Sequence, residues 1–294
     1  MAGVVKKNDI SVTPREIDFV SRFNTEFTAL KEILSVSALI NKPAGTNITT
    51  KKAVADAALE ASAAEGEAIA YTNYNITEEV VGTLTIEKYR KGVSIEAIEK
   101  YGYDVAVQKT DDQFLVDLQS KITTGMFTAL NGFVSASQLK GATWQAALAK
   151  AKAGVIAAMR AAHKASAGAV AWVNVNDFYD YEGAAAITVQ TAFGLSYIEN
   201  FMGFDKIFLC TDSEVAPTKV IATALNNLDV YYCDASQADF SKAGLQFVTD
   251  GENNLIGFHT EGNYGTAVSD AFAIMGITIS PEFASGVIGV TVGE

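Results

Sequence analysis

The chain has 294 residues, 49% of them hydrophobic and 10% aromatic, and its 22 Lys/Arg against 34 Asp/Glu give a net charge of −12. That is enough for one large core or two modest ones, and too apolar for a disordered chain. The acidic balance excludes a protein held to nucleic acid by a basic face.

The opening MAGVVKKNDI has no apolar stretch after its lysines, and no window reaches about 18 uninterrupted apolar residues, so neither a signal peptide nor a membrane helix is expected. The expectation is a protein made in a cytoplasm. Thr13, Pro14 and Glu16 write a capping box that predicts a helix over 14–37. Ile17, Val20, Phe23, Phe27, Leu30 and Leu34 form its apolar stripe, to be laid on its own core or on a neighbouring subunit. Residues 38–65 carry almost no large apolar side chains. Alternation then resumes, with Val81, Thr83 and Thr85 on one side and Leu84 and Ile86 on the other. Together 43–92 reads as an extended excursion with two polar-faced arms, marginal alone in water and in need of a partner surface.

The strongest helix is expected over 104–134, opened by a Thr110–Gln113 capping box and striped by Leu115, Leu118, Ile122, Met126, Leu130 and Phe133. An Ala-rich helix over 142–165 follows. Short strands are predicted at 169–175, 206–211, 219–225, 228–233, 244–249, 255–260 and 271–280, with helical patches at 176–183 and 236–243. Helices and strands segregate rather than alternate, which is an α+β pattern. Residues 1–150 hold 16 Lys/Arg and 18 Asp/Glu, whereas 151–294 hold 6 and 16, so the second half is a strongly acidic body.

Catalytic signatures are missing. Cys210 and Cys233 sit in apolar strand-like runs and form no framework. His163 stands at a helix end and His259 in a strand, neither with metal-ligand spacing. TDGENNL (249–255) offers Asp250, Glu252 and Asn253, but the glycine and distal acid that a calcium loop requires are wrong, and it reads as a hairpin turn. No nucleophile elbow or phosphate-cradling glycine loop is present, so no cofactor, metal or enzymatic activity is expected.

The stretch 64–105, with Glu65-Gly66-Glu67-Ala68-Ile69, a β-arm bearing Lys88 and Lys91, then Val93-Ser94-Ile95-Glu96-Ala97 and the long helix, resembles the extended loop and spine helix of tailed-phage major capsid proteins. Trp172-Val173-Asn174 and the closing SGVIGVTV (285–292) are similar to that family's second half. The resemblance implies an α+β, Hong Kong 97-type fold. Its parts would be an N-arm (1–42), an extended loop (43–92), a peripheral domain (93–141 and 271–294) and an axial domain (142–270). It further implies a non-enzymatic shell protein of a virion, assembling with itself into pentamers and hexamers around double-stranded DNA. A separate scaffolding protein, a portal and decoration proteins would be its partners, with no membrane. The interface residues so implied are Ile17, Phe23, Phe27, Leu34, Glu65, Glu67, Lys88 and Lys91, with Gly66, Gly82 and Gly92 as bending points. The rival expectations are an encapsulin-like bacterial compartment, which would have the same fold, and a soluble enzyme with an acidic cleft.

Overall fold

In the computed structural model, residues 15–23, 37–55, 71–164, 168–182, 190–192, 195–249 and 254–293 are described. The architecture follows from two side-chain periods. Where apolar residues recur every second position on both faces, strands stack into a doubly covered sheet. Where they recur every three or four, helices cover it.

The largest sheet has seven strands in the order β5 (Ser135–Gly141), β15 (Ile288–Val292), β10 (Lys219–Ala224), β6 (Ala169–Asn174), β9 (Phe204–Cys210), β8 (Leu195–Phe201), β7 (Gln190–Ala192). All six residues of β6 are buried. Trp172, Phe208 and Ile221, aligned across three strands, enter one core, and Ala171, Ile207 and Ala222 enter the other. The second core is closed by α4 (Trp144–Ala161) and α5 (Val175–Glu182). Thr143 caps α4 by accepting from the Ala146 N–H, and the small buried Ala147 and Ala151 let that helix lie close on the sheet.

The first core is built on α3 (Lys109–Phe133), a helix of 25 residues, about 38 Å long at 1.5 Å per residue. Its buried stripe is Leu115, Leu118, Ile122, Met126 and Leu130, as expected, with Phe133 partly buried. Its start differs from expectation. Thr110 caps nothing, because the backbone is already helical: a π-helical turn, Asp104–Gln108, runs straight into α3, and the Thr110 hydroxyl donates back to the Ala106 and Val107 carbonyls. The true N-cap upstream is Ser94, which opens α2 (Ile95–Tyr101).

Two three-stranded sheets flank α3. One is β1 (Ser37–Asn41), β11 (Leu228–Tyr232) and β14 (Ile277–Pro281); the other is β12 (Ile256–Asn263), β13 (Val268–Met275) and β4 (Glu87–Ser94). The stretch expected as one strand at 271–280 is therefore two, broken at Gly276. A side chain there would press on Cys233 Sγ and the Thr85 carbonyl. Residues 244–249 form no strand, only a bridge between Val248 and Phe258. The short helix α6 (Ala238–Lys242) precedes them.

The N-terminal helix α1, expected over 14–37, is described over 15–23; Ser37, its expected last residue, belongs to β1, and residues 24–36 lie outside the described residues. Its buried side is Glu16, Phe19, Val20 and Phe23, whereas Ile17 is 55% exposed. Phe23 is thus inside the chain's own core rather than on a face open to a neighbour.

Two expected boundaries cut through paired strands. Residues 87–92 belong to β4, which pairs with β13 along its whole length, so they sit in the body and not in an excursion. The division at 270–271 falls inside β13.

Candidate assembly surface

What remains of the excursion is a two-stranded ribbon, β2 (Asn47–Ala55) with β3 (Tyr74–Thr83). Nine residues at about 3.3 Å each make it roughly 30 Å long. The ladder pairs Ala55 with Tyr74, Ala53 with Ile76, Lys51 with Glu78 and Thr49 with Val80, and paired residues share a face. One face is therefore an apolar stripe of Tyr74, Ile76 and Val80, 60%, 71% and 55% exposed, interrupted by a single ion pair between Lys51 and Glu78 at 3.9 Å. The opposite face carries Asn75, Thr77 and Glu79, with Val54 its one large apolar residue. The expectation of polar faces on both arms is corrected here: the ribbon is amphipathic, and none of the described residues covers the apolar side.

The root of the ribbon is fixed. Leu84 is fully buried and Ile48 nearly so. The Gly45 N–H donates to the Leu84 carbonyl at 2.8 Å, and the Leu84 N–H to the Thr46 carbonyl at 3.0 Å. Just beyond the root the register slips: Ile48 faces Gly82 and Thr49 faces Val80, leaving Val81 as the extra residue of a β-bulge. Gly82 lies beside this bulge, over Thr278 of β14.

A charged cluster ties α1, β4 and α3 together. Arg15 makes a two-pronged contact with Asp111, 2.6 and 2.7 Å, and Lys91 reaches the same carboxylate at 2.5 Å. Burial pushes the Asp111 carboxyl up, but the hydrogen bonds and charges of Arg15 and Lys91 outweigh it and hold the group below its ordinary range. Lys91 is itself lowered by burial, against the pull of Asp111, with Arg15 adding repulsion. Arg22 pairs with Asp112 at 2.8 Å. Glu16, 1% exposed, accepts from the Thr260 N–H at 2.6 Å and lies 3.2 Å from His259 Nδ1. Its carboxylate thereby covers the open edge of β12, while Phe19 stacks on Phe258 at 3.6 Å.

The residues singled out in the sequence fall into separate places. Lys91 is committed inside the chain, its side chain 13% exposed. Gly92 is a paired position of β4 and not a bend; a Cβ there would lie 2.8 Å from Val268 Cγ1. Lys88 and Ile17 are exposed. Phe27, Leu34, Glu65, Gly66 and Glu67 lie outside the described residues, as do Thr13 and Pro14 of the first capping box and residues 250–253 of the turn. Sequence reasoning missed Asp111 as the junction of three elements, because its partners are 96 and 20 positions away. It also missed the stripe, although Tyr74, Ile76 and Val80 share one parity. Among the described residues no group of acids, histidines and cysteines could hold a metal ion, and no helix is long and apolar enough to cross a membrane. Both cysteines are buried, and burial drives the Cys210 thiol well above its ordinary value.

No family model matches the chain, and no curated protein does. Solved structures do. The mature capsid of bacteriophage PhiM1 matches with a TM-score of 0.56 at 7% identity, over 88% of this chain and 86% of that one. The capsid of an empty GTA particle matches at 0.55 and 10% identity, over 90% of both chains. The holo-SrpI encapsulin complex from Synechococcus elongatus PCC 7942 matches at 0.51 and 11%, over 99% of this chain and 93% of that one. The chain has the fold of these shell proteins, and the expected α+β, Hong Kong 97-type architecture holds.

Proposed function

We propose that the chain is a non-enzymatic major capsid protein, which assembles with its own copies into pentamers and hexamers of an icosahedral phage shell around double-stranded DNA. The observation that carries this reading is the ribbon: a rigidly rooted, two-stranded arm with an uncovered apolar stripe, on a chain with a shell-protein fold. An isolated ribbon is marginal in water, so an arm of this length makes sense when a neighbouring copy covers it. Contacts between unlike surfaces of identical chains close into rings. Each contact is modest alone, and shell closure multiplies them.

In this reading the ribbon is the extended loop, α3 the spine of the peripheral domain, and the seven-stranded sheet with α4 and α5 the axial domain. Synthesis and assembly take place in a host cytoplasm, with a separate scaffolding protein, a portal and decoration proteins as further partners. The net charge of −12 suits a wall that encloses DNA without adhering to it.

An encapsulin-like compartment is the second reading, favoured by the 99% coverage against the Synechococcus encapsulin. Negative-stain microscopy of the expressed chain tests the shell itself: closed particles are expected, and a monodisperse monomer at high concentration refutes the proposal. The contents of particles from the native source separate the two readings, nucleic acid supporting the capsid and a co-purifying enzyme the compartment.

A further inference from the structure

Glu16 is a carboxylate with 1% exposure on the underside of α1. Such a group is costly to bury, and an apolar side chain there would extend the packing of Phe19, Val20 and Phe23 instead. What the carboxylate adds is an acceptor for β12. That strand is an outer strand of its sheet. Its backbone groups alternate, turning to β13 at 257, 259 and 261 and away from it at 258, 260 and 262. Phe258 exchanges both its outward groups with Val248, at 2.9 and 3.0 Å. Thr260 donates its N–H to Glu16 Oε1 at 2.6 Å and its hydroxyl to the same oxygen at 3.1 Å. Gly262 comes next, exposed, and a Cβ there would have nothing within 4 Å. Glu16 thus stands where the backbone of a further strand would be.

We infer that α1 is a detachable guard on this edge, and that with Glu16 withdrawn the segment 260–262 pairs antiparallel with the same segment of a second copy. The edge is self-complementary. With Glu261 facing Glu261 of the second copy, Thr260 lies opposite Gly262 and Gly262 opposite Thr260, and each such pair exchanges N–H and carbonyl. A bare strand edge is a template for pairing. An antiparallel contact of one segment with itself is two-fold, so it closes at two copies. Such a dimer is a dead end for a ring of subunits, and the guard keeps the chain out of it. The inference goes beyond the assembly reading and holds whether or not the chain builds a shell. Two features fit a guard. Among the described residues α1 is held by three buried apolar side chains, Phe19, Val20 and Phe23, and by polar pins from Arg15 to Asp111, Glu16 to Thr260 and Arg22 to Asp112. An element attached in this way opens locally before the body does. Glu261 is a second safeguard: it is exposed and would stand directly across from its own counterpart, and like charges so placed weaken a pair.

Sedimentation equilibrium of the full-length chain, dilute and unassembled, tests the guard. Glu16→Ala removes the acceptor and is expected to tighten dimerisation about tenfold over the parent, whereas Glu16→Gln keeps an accepting oxygen and is expected to stay within about threefold. Adding Glu261→Gln to Glu16→Ala is expected to tighten it about threefold more. Adding Thr260→Pro to Glu16→Ala removes the outward N–H, a change an edge strand tolerates, and is expected to return association to the parent's value. Gly262→Pro does the same at the other outward donor and serves where Thr260→Pro melts the chain. A Glu16→Ala chain that sediments like the parent overturns the inference. So does association that survives both Thr260→Pro and Gly262→Pro, because the adhesive surface is then the apolar side uncovered beneath α1 and not the strand edge. Microscopy of parent particles bears on the assembly reading alone, so the two can fail separately.

Discussion

Asp111 is the residue on which the N-terminal helix, the spine helix and strand β4 converge. Removing its charge strands Arg15 and Lys91 against one another in a largely buried site. Asp111→Asn is therefore expected to cost about 3–5 kcal/mol in chemical denaturation at neutral pH. The pH dependence has a definite sign. The folded carboxyl titrates below the unfolded one, so its contribution is complete above the unfolded value of about 3.9 and is lost as pH falls through the lower folded value. The stability gap between parent and variant should be flat between about pH 5 and about pH 8 and close below about pH 4. Phe19 makes the second test. Its ring stacks on Phe258 within the core, and Phe19→Ala is expected to cost about 3–5 kcal/mol. Amide exchange over 15–23 should rise more than over α3, because α1 is held by few apolar side chains.

Among the elements, the ribbon separates stability from assembly. Ile76 and Val80 touch little in their own chain, so Ile76→Asp and Val80→Asp are expected to leave the melting of the unassembled subunit within about 0.5 kcal/mol of the parent. Sedimentation of the same variants should show shells lost. Legibility in the sequence also varied by element. The stripe of α3 and the strands β6, β9, β10 and β11 were readable because each is buried along a regular period. β5, with SASQLKG, was not, because a polar edge strand carries no apolar pattern and is defined only by its parallel partner β15. α1 misled for a different reason. A charged residue, Glu16, occupies a buried position that the hydrophobic pattern assigned to Ile17, and its compensation comes from Thr260 and His259, some 240 positions along the chain. The ribbon was recognised as lacking a bed in its own fold, but its two faces could be told apart only once the ladder aligned β2 with β3.

For the whole molecule, fold and surface divide the work. Two large cores and a small cluster of Val93, Ala106 and Val107 hold the body, and the β2–β3 ribbon projects from it. Proteolysis measures that division: the ribbon around 50–80 is expected to be cut in unassembled subunits and protected after assembly, with the body resistant in both states. Equal cutting in both states would show the arm uncovered in the particle. Val81 carries the geometry of the arm in a single residue. Excising it would leave Ile48–Gly82 followed directly by Thr49–Val80, a straight ladder with every side chain on its original side. Such a chain would keep its glue and lose its aim, so wrongly curved sheets, tubes or undersized balls, rather than inert subunits, are the products to look for in the microscope.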